Sequence, residues 1–503
     1  MKNIGISSIV CISFIMMLFS GCEKLDEKAY STLTPENYFS NADEAKVALM
    51  GVYNTLNREH IWTHNLFTMV LLPNKYVRTR VPVHKSIAQF SFSVSDDRIA
   101  NVWNNAYEAI NRANTIIGRV PNIQMTDSLQ RMFVAEAKFM RALSYFNLVR
   151  LYGGVPLKTG ETEGLSTVYT PRSTEQEIYD LIVADLQYAE SNNLPKIRPS
   201  SERGRATECA AKTLLGKVYL TMAGFPLKQT DKWNLARLKL KEVIDNKATY
   251  NVDLLPNYAD LFDVNKEASN KEAIFAIQFS YSQVSGGSAL PFFAAPLNST
   301  FATANGQYNY GFTTDFRSLF ATSDKRRDVT LISSYVAVNG ATVTYNAPGS
   351  TYRDPLGIAL GKYKDGPSKA PANTRHATDI LVLRYADVLL MYAEAENEVN
   401  GPDNAYSAIN EVRLRANAGA LSGLTKDTFR DAVHLERLLE LSGELHEFFD
   451  IKRLEKIEDH VTNSYEAQQV QVSYDPKMYL YPIPDREVST NRAIGLENQN
   501  PGY

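Results

Sequence analysis

Cysteine is scarce, with three in 503 residues: Cys11, Cys22 and Cys209. The first two belong to the apolar stretch that opens the chain. Only Cys209 stands in the body, which excludes an intramolecular disulfide and a cysteine metal cluster there. It sits in an apolar helical pattern over 206–220 and reads as a small buried hydrophobe. Charge of one sign is also missing. Lysine and arginine total 53 against 56 acidic residues, a net charge of −3, and no basic run interleaves with aromatics. Nucleic acid is therefore not an expected partner.

Catalytic signatures are equally sparse. The seven histidines include no His-Glu-x-x-His pair. His60 and His64 would share one helical face, but acids nearby are few and Trp62 lies between them. Gly357 to Lys362 brushes a phosphate-binding loop with one intervening residue too few, and Tyr363 stands where Ser or Thr would reach magnesium. No Gly-x-Ser-x-Gly elbow occurs. A glycosidase needs only two suitably spaced carboxylates, for which Asp96-Asp97 and Asp324/Asp328 are the available pairs. Acids of this kind in loops more often cap helices or face solvent. The expectation is a protein that is not an enzyme and carries no cofactor.

What is present begins at the N-terminus. Lys2 is followed by an almost wholly apolar run over 4–19, then Ser20-Gly21, then Cys22. A basic start, a short apolar core and small residues make a secretory signal too short to span a membrane. A cysteine directly after the cut resembles the lipobox of bacterial lipoproteins, although Phe19 stands where Leu is commonest. That resemblance implies acylation of Cys22 and anchoring in a membrane outside the cytoplasm, stably so with two or more acyl chains. The expected division is a signal peptide at 1–21, a lipidated tether at 22–33 and one domain at 34–503. Glu23, Asp26 and Glu27 make the tether acidic, which resembles a surface-export signal of Bacteroidetes lipoproteins.

Apolar residues at three-to-four-residue intervals predict long helices over 98–119, 127–151, 174–191, 206–224 and 232–247. Thr174 with Glu177 offers a capping box, and Gly153-Gly154 a stop. From 250 to about 378 the chain turns rich in Gly, Pro, Asn, Thr and aromatics, with short apolar runs at 273–279 and 329–338 that read as strands. Helix is expected again over 379–399, 405–416 and 426–453, with a break near Ser442-Gly443. The tail over 479–503 reads as extended and turn-rich. Leu215-Gly216-Lys217-Val218-Tyr219 matches the Leu-Gly-x-x-Tyr core of a tetratricopeptide unit, answered by Ala236 and Leu240. Leu389 and Tyr392, with Ala408 and Val412, look like a second unit. The helical scaffold is thus placed mainly at 42–247 and 379–453, and a loop-rich lobe at about 250–378.

Together, several segments resemble the SusD/RagB family of outer-membrane nutrient-binding lipoproteins of Bacteroidetes. They run from Trp103 to Asn114, from Ala135 to Phe146 and from Leu151 to Pro156. Later ones run from Leu383 to Ala395 and from Ile409 to Ala416, with Glu436-Arg437, Glu444, Phe449 to Arg453 and the ending Gln499 to Tyr503. The resemblance implies a mainly α, SusD-like fold: degenerate tetratricopeptide-type helix pairs as scaffold plus an irregular lobe of loops and short strands. It implies no catalysis, a SusC-like TonB-dependent transporter as partner, and an oligosaccharide ligand captured at the cell surface. A RagB-like peptide receptor is the alternative within the binding class, and a lipid-anchored glycoside hydrolase the alternative outside it.

Arg141 and Arg384 sit inside apolar helical patterns and are expected to pair with carboxylates such as Glu136 and Asp387. Glu436, Arg437, Glu440, Glu444, Asp450, Lys452 and Arg453 read as an ion-pair lattice. A sugar site needs aromatic platforms flanked by amides, carboxylates or guanidinium groups. Such groups gather at 60–92 and 281–352, which gives Trp62, Asn74, Tyr76, Arg78, Tyr281, Tyr308 and Tyr310 as candidate ligand contacts, with Arg80 and Tyr352 nearby.

Overall fold

The computed structural model describes residues 39–503 except 59, 163, 165–167, 282–286, 303–305, 347–356 and 366–374. Cys22, the signal, the tether and Tyr352 lie outside the described residues. The helices form where the apolar stripes place them, and local capping explains where they start. Asn41 accepts the N–H groups of Asp43 and Glu44 and opens α1 (Ala42–Tyr53). After α2 (Leu66–Leu71) comes α3 (Asp97–Arg119), opened by Asp96, whose carboxylate accepts Arg98 N–H at 2.9 Å. Thr126 opens α4 (Asp127–Tyr152), and Gly153, at φ 72°, closes it. Thr174 and Glu177 form the expected capping box of α5 (Glu175–Ser191). Then follow α6 (Glu208–Ala223) and α7 (Lys232–Asp245). The later helices are α8 (Tyr385–Asn400), α9 (Tyr406–Arg415), α10 (Lys426–Leu441), α11 (Glu447–Arg453) and α12 (Ile457–Thr462).

These helices pack in sequence: α3 on α4, α4 on α5, α5 on α6, α6 on α7, α7 on α8, and α8 on α9 and α10. Gly216 explains the close approach of α6 and α7, because a Cβ there would lie 2.7 Å from Leu240 Cδ2. Ala236, Leu240, Ala408 and Val412 are buried at the pair interfaces, as the repeat pattern requires. The fold is mainly α, with few and short strands.

Those strands are β1 (Val77–Arg78), β2 (Ala273–Ile277), β3 (Gly311–Phe312), β4 (Leu331–Ile332), β5 (Ser334–Val336), β6 (Thr342–Thr344), β7 (Ile358–Leu360) and β8 (Ile380–Arg384). A four-stranded sheet has the order β1-β3-β7-β4, while β2 pairs with β8 and β5 with β6, all antiparallel. One expected boundary is corrected. The helix expected from 379 begins only at Tyr385, because Ile380-Leu-Val-Leu-Arg384 pairs with β2. A short apolar run of this kind carries no period to separate strand from helix. The tail also contains a short helix, Asp485–Thr490.

Both interior arginines are paired, though not with the partners expected. Arg141 Nε and an Nη atom bind the two oxygens of Asp185 at 2.7 and 2.8 Å. Arg384 binds Glu272, Glu440 and Glu444 at 2.8, 2.7 and 2.6 Å. Glu136 instead holds Arg205 and Arg198, and Asp387 holds Lys217 and Arg437. Helix spacing showed that each charge needed a partner, but the partners come from other elements. Lys362, from the rejected phosphate-loop pattern, is buried against Glu444 Oε1 at 2.5 Å.

Candidate functional site

The two stretches singled out for ligand contact meet in space. β1 of the first pairs with β3 of the second, Val77 opposite Phe312 and Arg78 opposite Gly311. Thr313 N–H donates to the Tyr76 carbonyl at 2.9 Å, and Thr68 Oγ1 lies 2.9 Å from the Tyr310 hydroxyl. Phe293 packs on His64 with ring centroids 4.3 Å apart.

Their side chains divide into two groups. Trp62, Asn74, Tyr308 and Tyr310 are buried. Trp62 lies in a single π-helical turn, Ile61–Asn65, and borders a small pocket of about 30 Å³ with Phe146 and Phe449. The Asn74 side-chain amide oxygen, Oδ1, accepts Tyr76 N–H at 3.0 Å. Tyr308, at φ 52°, donates its hydroxyl to the Gly357 carbonyl, and the Tyr310 ring lies parallel to that of His84. Tyr310 ties the lobe to α2 through Thr68, and all four side chains present little surface to a ligand. An irregular, aromatic-rich sequence reads as exposed loop; here it folds back on itself instead.

Tyr76, Arg78 and Tyr281 are half-buried. The Tyr76 ring, flanked by Phe316 and His460, forms one wall of a cleft of about 210 Å³. Leu438, Leu441 and Leu454 supply apolar surface to it, and His434, Ser442 and Asp459 supply polar atoms. The charges over 436–453 point only to ion pairing in the sequence, so these lining residues are not visible there. Their signal was the leucine stripe of α10, on which Leu435 is exposed and Leu438 half-buried. The Arg78 guanidinium stacks on Tyr465 at 4.1 Å.

The Tyr281 hydroxyl donates to Asp365 Oδ1 at 2.5 Å, while Asp365 Oδ2 accepts Ala377 N–H at 3.0 Å and lies 3.2 Å from His376 Nδ1. Burial alone would raise the Asp365 pKa, but hydrogen bonds from His376 and Tyr281 hold it below the usual carboxylate range. Burial and the Asp365 carboxylate push the Tyr281 hydroxyl up, so it remains a donor at neutral pH.

The His60/His64 pair does not share one helical face. His60 is in the left-handed region at φ 67°, and His64 Nε2 lies 3.1 Å from His84 Nε2. Burial lowers His64 to about 4 and His84 to about 3, so both rings are neutral at pH 7. Among the described residues no three His, Cys, Asp or Glu side chains converge on a metal-sized site. Three of the four carboxylates offered for hydrolysis are engaged, Asp96 with Arg98, Asp324 with Arg326, and Asp328 with Arg317 and Arg327, while Asp97 is exposed in the first turn of α3.

A helical layer of tetratricopeptide-like pairs carrying a small irregular sheet is the architecture of a SusD-like protein, and comparison with known proteins agrees. The model of the SusD family matches residues 257–503, and a model described as starch-binding associating with outer membrane matches 23–220. SusD-like protein P2 of Formosa agariphila is 30% identical over 98% of this chain and 99% of its own. A SusD homolog from Bacteroides thetaiotaomicron superposes with a TM-score of 0.81 at 27% identity, covering 93% of this chain and 98% of that one. A laminarin-binding SusD-like protein does so with a TM-score of 0.77 at 25% identity, over 92% of this chain and 100% of its own. The chain belongs to the SusD family.

Proposed function

We propose that this protein is a non-catalytic, surface-exposed lipoprotein of the outer membrane that binds oligosaccharides and passes them to a SusC-like TonB-dependent transporter. The observation that carries the reading is end-to-end similarity to SusD-like proteins, together with a fold matching that of a laminarin-binding member at 25% identity. Tyr76, Arg78 and Tyr281 are the contacts favoured among the sequence candidates, because their side chains reach the surface. An aromatic face takes the apolar C–H side of a pyranose, while fixed donors read its hydroxyls. Cys22 carries the lipid that confines the receptor beside its transporter.

Native gels containing single polysaccharides test the binding. Retardation without release of reducing sugar is expected for laminarin or another glycan of the panel. Binding of peptides and of no glycan would move the assignment to a RagB-like receptor. Sustained hydrolysis abolished by one carboxylate substitution would make the protein an enzyme. Cys22→Ala should leave affinity intact and abolish retention on the cells; a variant that stays on the surface contradicts the lipid anchor. Co-purification with a SusC-like transporter tests the partner.

A further inference from the structure

A furrow away from the β1–β3 junction has the composition of a sugar site. It opens beside β2, between the end of α1 and the segment around Arg203. Its larger part encloses about 520 Å³, with Tyr53, Asn57, Arg203 and Gln278 on the walls and Leu56 and Ile277 supplying apolar surface. A second part of about 350 Å³ shares Arg203 and Gln278 with it. Both volumes fall within the range of roughly 300–1,000 Å³ typical of small-molecule sites.

The polar groups are held in place by partners outside the furrow. The Tyr53 hydroxyl donates to Glu136 Oε2 at 2.8 Å and accepts Ala206 N–H at 2.9 Å, which fixes the plane of the half-buried ring. Arg203 and Gln278 converge on one oxygen of buried Asp379, at 3.2 and 3.1 Å, and their other N–H groups are thereby oriented. Gly204, at φ +86°, lets the segment press on Gln278, since a Cβ there would lie 2.5 Å from Gln278 Cγ. Asn57 Oδ1 is shielded from bulk solvent and has no hydrogen-bond partner among the described residues. An acceptor left in that state is costly unless a ligand or water donates to it.

We infer that this furrow is a second carbohydrate-binding site, one that takes a short neutral saccharide; the inference rests on the glycan-binding reading above. A ring face, an apolar patch and oriented N–H donors are the groups that a pyranose matches with its C–H face and its hydroxyls. Neutral ligand follows from the charges. Asp379 faces Arg203, and Glu136 and Glu202 are shared by Arg205 and Arg198, so three carboxylates balance three guanidinium groups and the larger part offers hydrogen bonds rather than net positive charge.

The test is titration calorimetry on the full chain in detergent, with laminarihexaose and a polyuronate oligomer as probes. Gln278→Ala removes a donor, and Asn54→Trp fills the furrow from its exposed rim. Each should weaken laminarihexaose binding about tenfold or more, the effect of one well-made hydrogen bond or its equivalent; Tm should be unchanged in Asn54→Trp and lowered in Gln278→Ala, which also takes a hydrogen bond from Asp379. Unchanged affinity in both variants, with loss in Tyr76→Ala or Tyr281→Ala, overturns the furrow and leaves glycan binding standing. Binding of the polyuronate alone overturns the neutral class. Failure of the wild-type chain to bind either probe, or any glycan of the wider panel, overturns the furrow and the glycan reading together.

Discussion

Arg384, the last residue of β8, and Glu444, beyond the end of α10, form a two-pronged ion pair inside the protein. Nε lies 2.6 Å from Oε2 and an Nη atom 3.1 Å from Oε1, with 1% and 2% of the residues exposed. Removing one partner leaves the other charged and buried, at a cost of about 3–5 kcal/mol. Glu444→Ala should therefore lower the midpoint of urea unfolding sharply, and Lys362, which shares Glu444, adds to the loss. A surface pair such as Lys241–Asp245 gives the control, where Asp245→Ala should change stability by less than about 1 kcal/mol.

Gly216→Val should destabilise by about 1–3 kcal/mol, the usual cost of forcing extra atoms into a packed contact. The obstacle is specific, since Leu240 occupies the space a Cβ would need. Leu240→Ala in the same chain should return part of that loss, and a thermal double-mutant cycle would read the coupling. Additive losses would place the strain elsewhere.

Tyr310→Phe deletes the hydroxyl that meets Thr68 and should cost about 1 kcal/mol with no direct effect on ligand affinity. Tyr76→Ala should do the reverse, lowering glycan affinity while leaving the melting temperature close to that of the wild type. Binding and melting measured on the same two variants separate a side chain that holds the sheet from one that meets a ligand.

Acid should destabilise the protein well above the ordinary carboxylate range. Burial lowers both His84 and His460 to about 3, against 6.5 for the unperturbed group. The unfolded chain therefore takes up protons first. Their contribution is complete above pH 6.5 and falls as pH drops toward 3, by about 1.4 kcal/mol per pH unit for each histidine. Glu447, raised to about 7 by burial, acts oppositely: its contribution is complete below its unperturbed value of 4.5 and fades as pH rises through 7. Burial lowers His64 and His446 in the same sense, and raises Glu267 to about 8 and Asp379 to about 6 alongside Glu447; four histidines outweigh three carboxyls, so denaturation midpoints at pH 5 should lie below those at pH 7. His460→Asn should flatten that difference, since an amide oxygen can still accept Lys75 N–H.

Much of the scaffold was legible because its signals are local. The stripe over 98–119, the Thr174–Glu177 box and the Leu-Gly-x-x-Tyr core each act within a few residues, and the structure places them within two residues of expectation. Strand β8 was not legible, because its partner β2 lies about a hundred residues earlier and a fully apolar run has no period. The partners of Arg141 and Arg384 were hidden for the same reason. The candidate site was read as composition, which told that aromatics gather at 60–92 and 281–352 but not which of them face outward. Tyr308 and Tyr310 illustrate the difference: these tyrosines, just before β3, are buried, whereas Tyr76, beside β1, keeps an open face.

The charged interior also has a consequence for how the chain is completed. Arg326, Lys362 and Arg384 emerge during synthesis before Glu436, Glu440 and Glu444, the carboxylates that neutralise them. A polypeptide stopped after α9 would hold these cations with only Asp324 and Glu272 from the same cluster. Burying them in that state is prohibitive, so the sheet-bearing half cannot close until α10 and the turn after it have arrived. A fragment ending before α10 should therefore be cut by proteases that spare the full chain, and limited proteolysis of the two reads the difference.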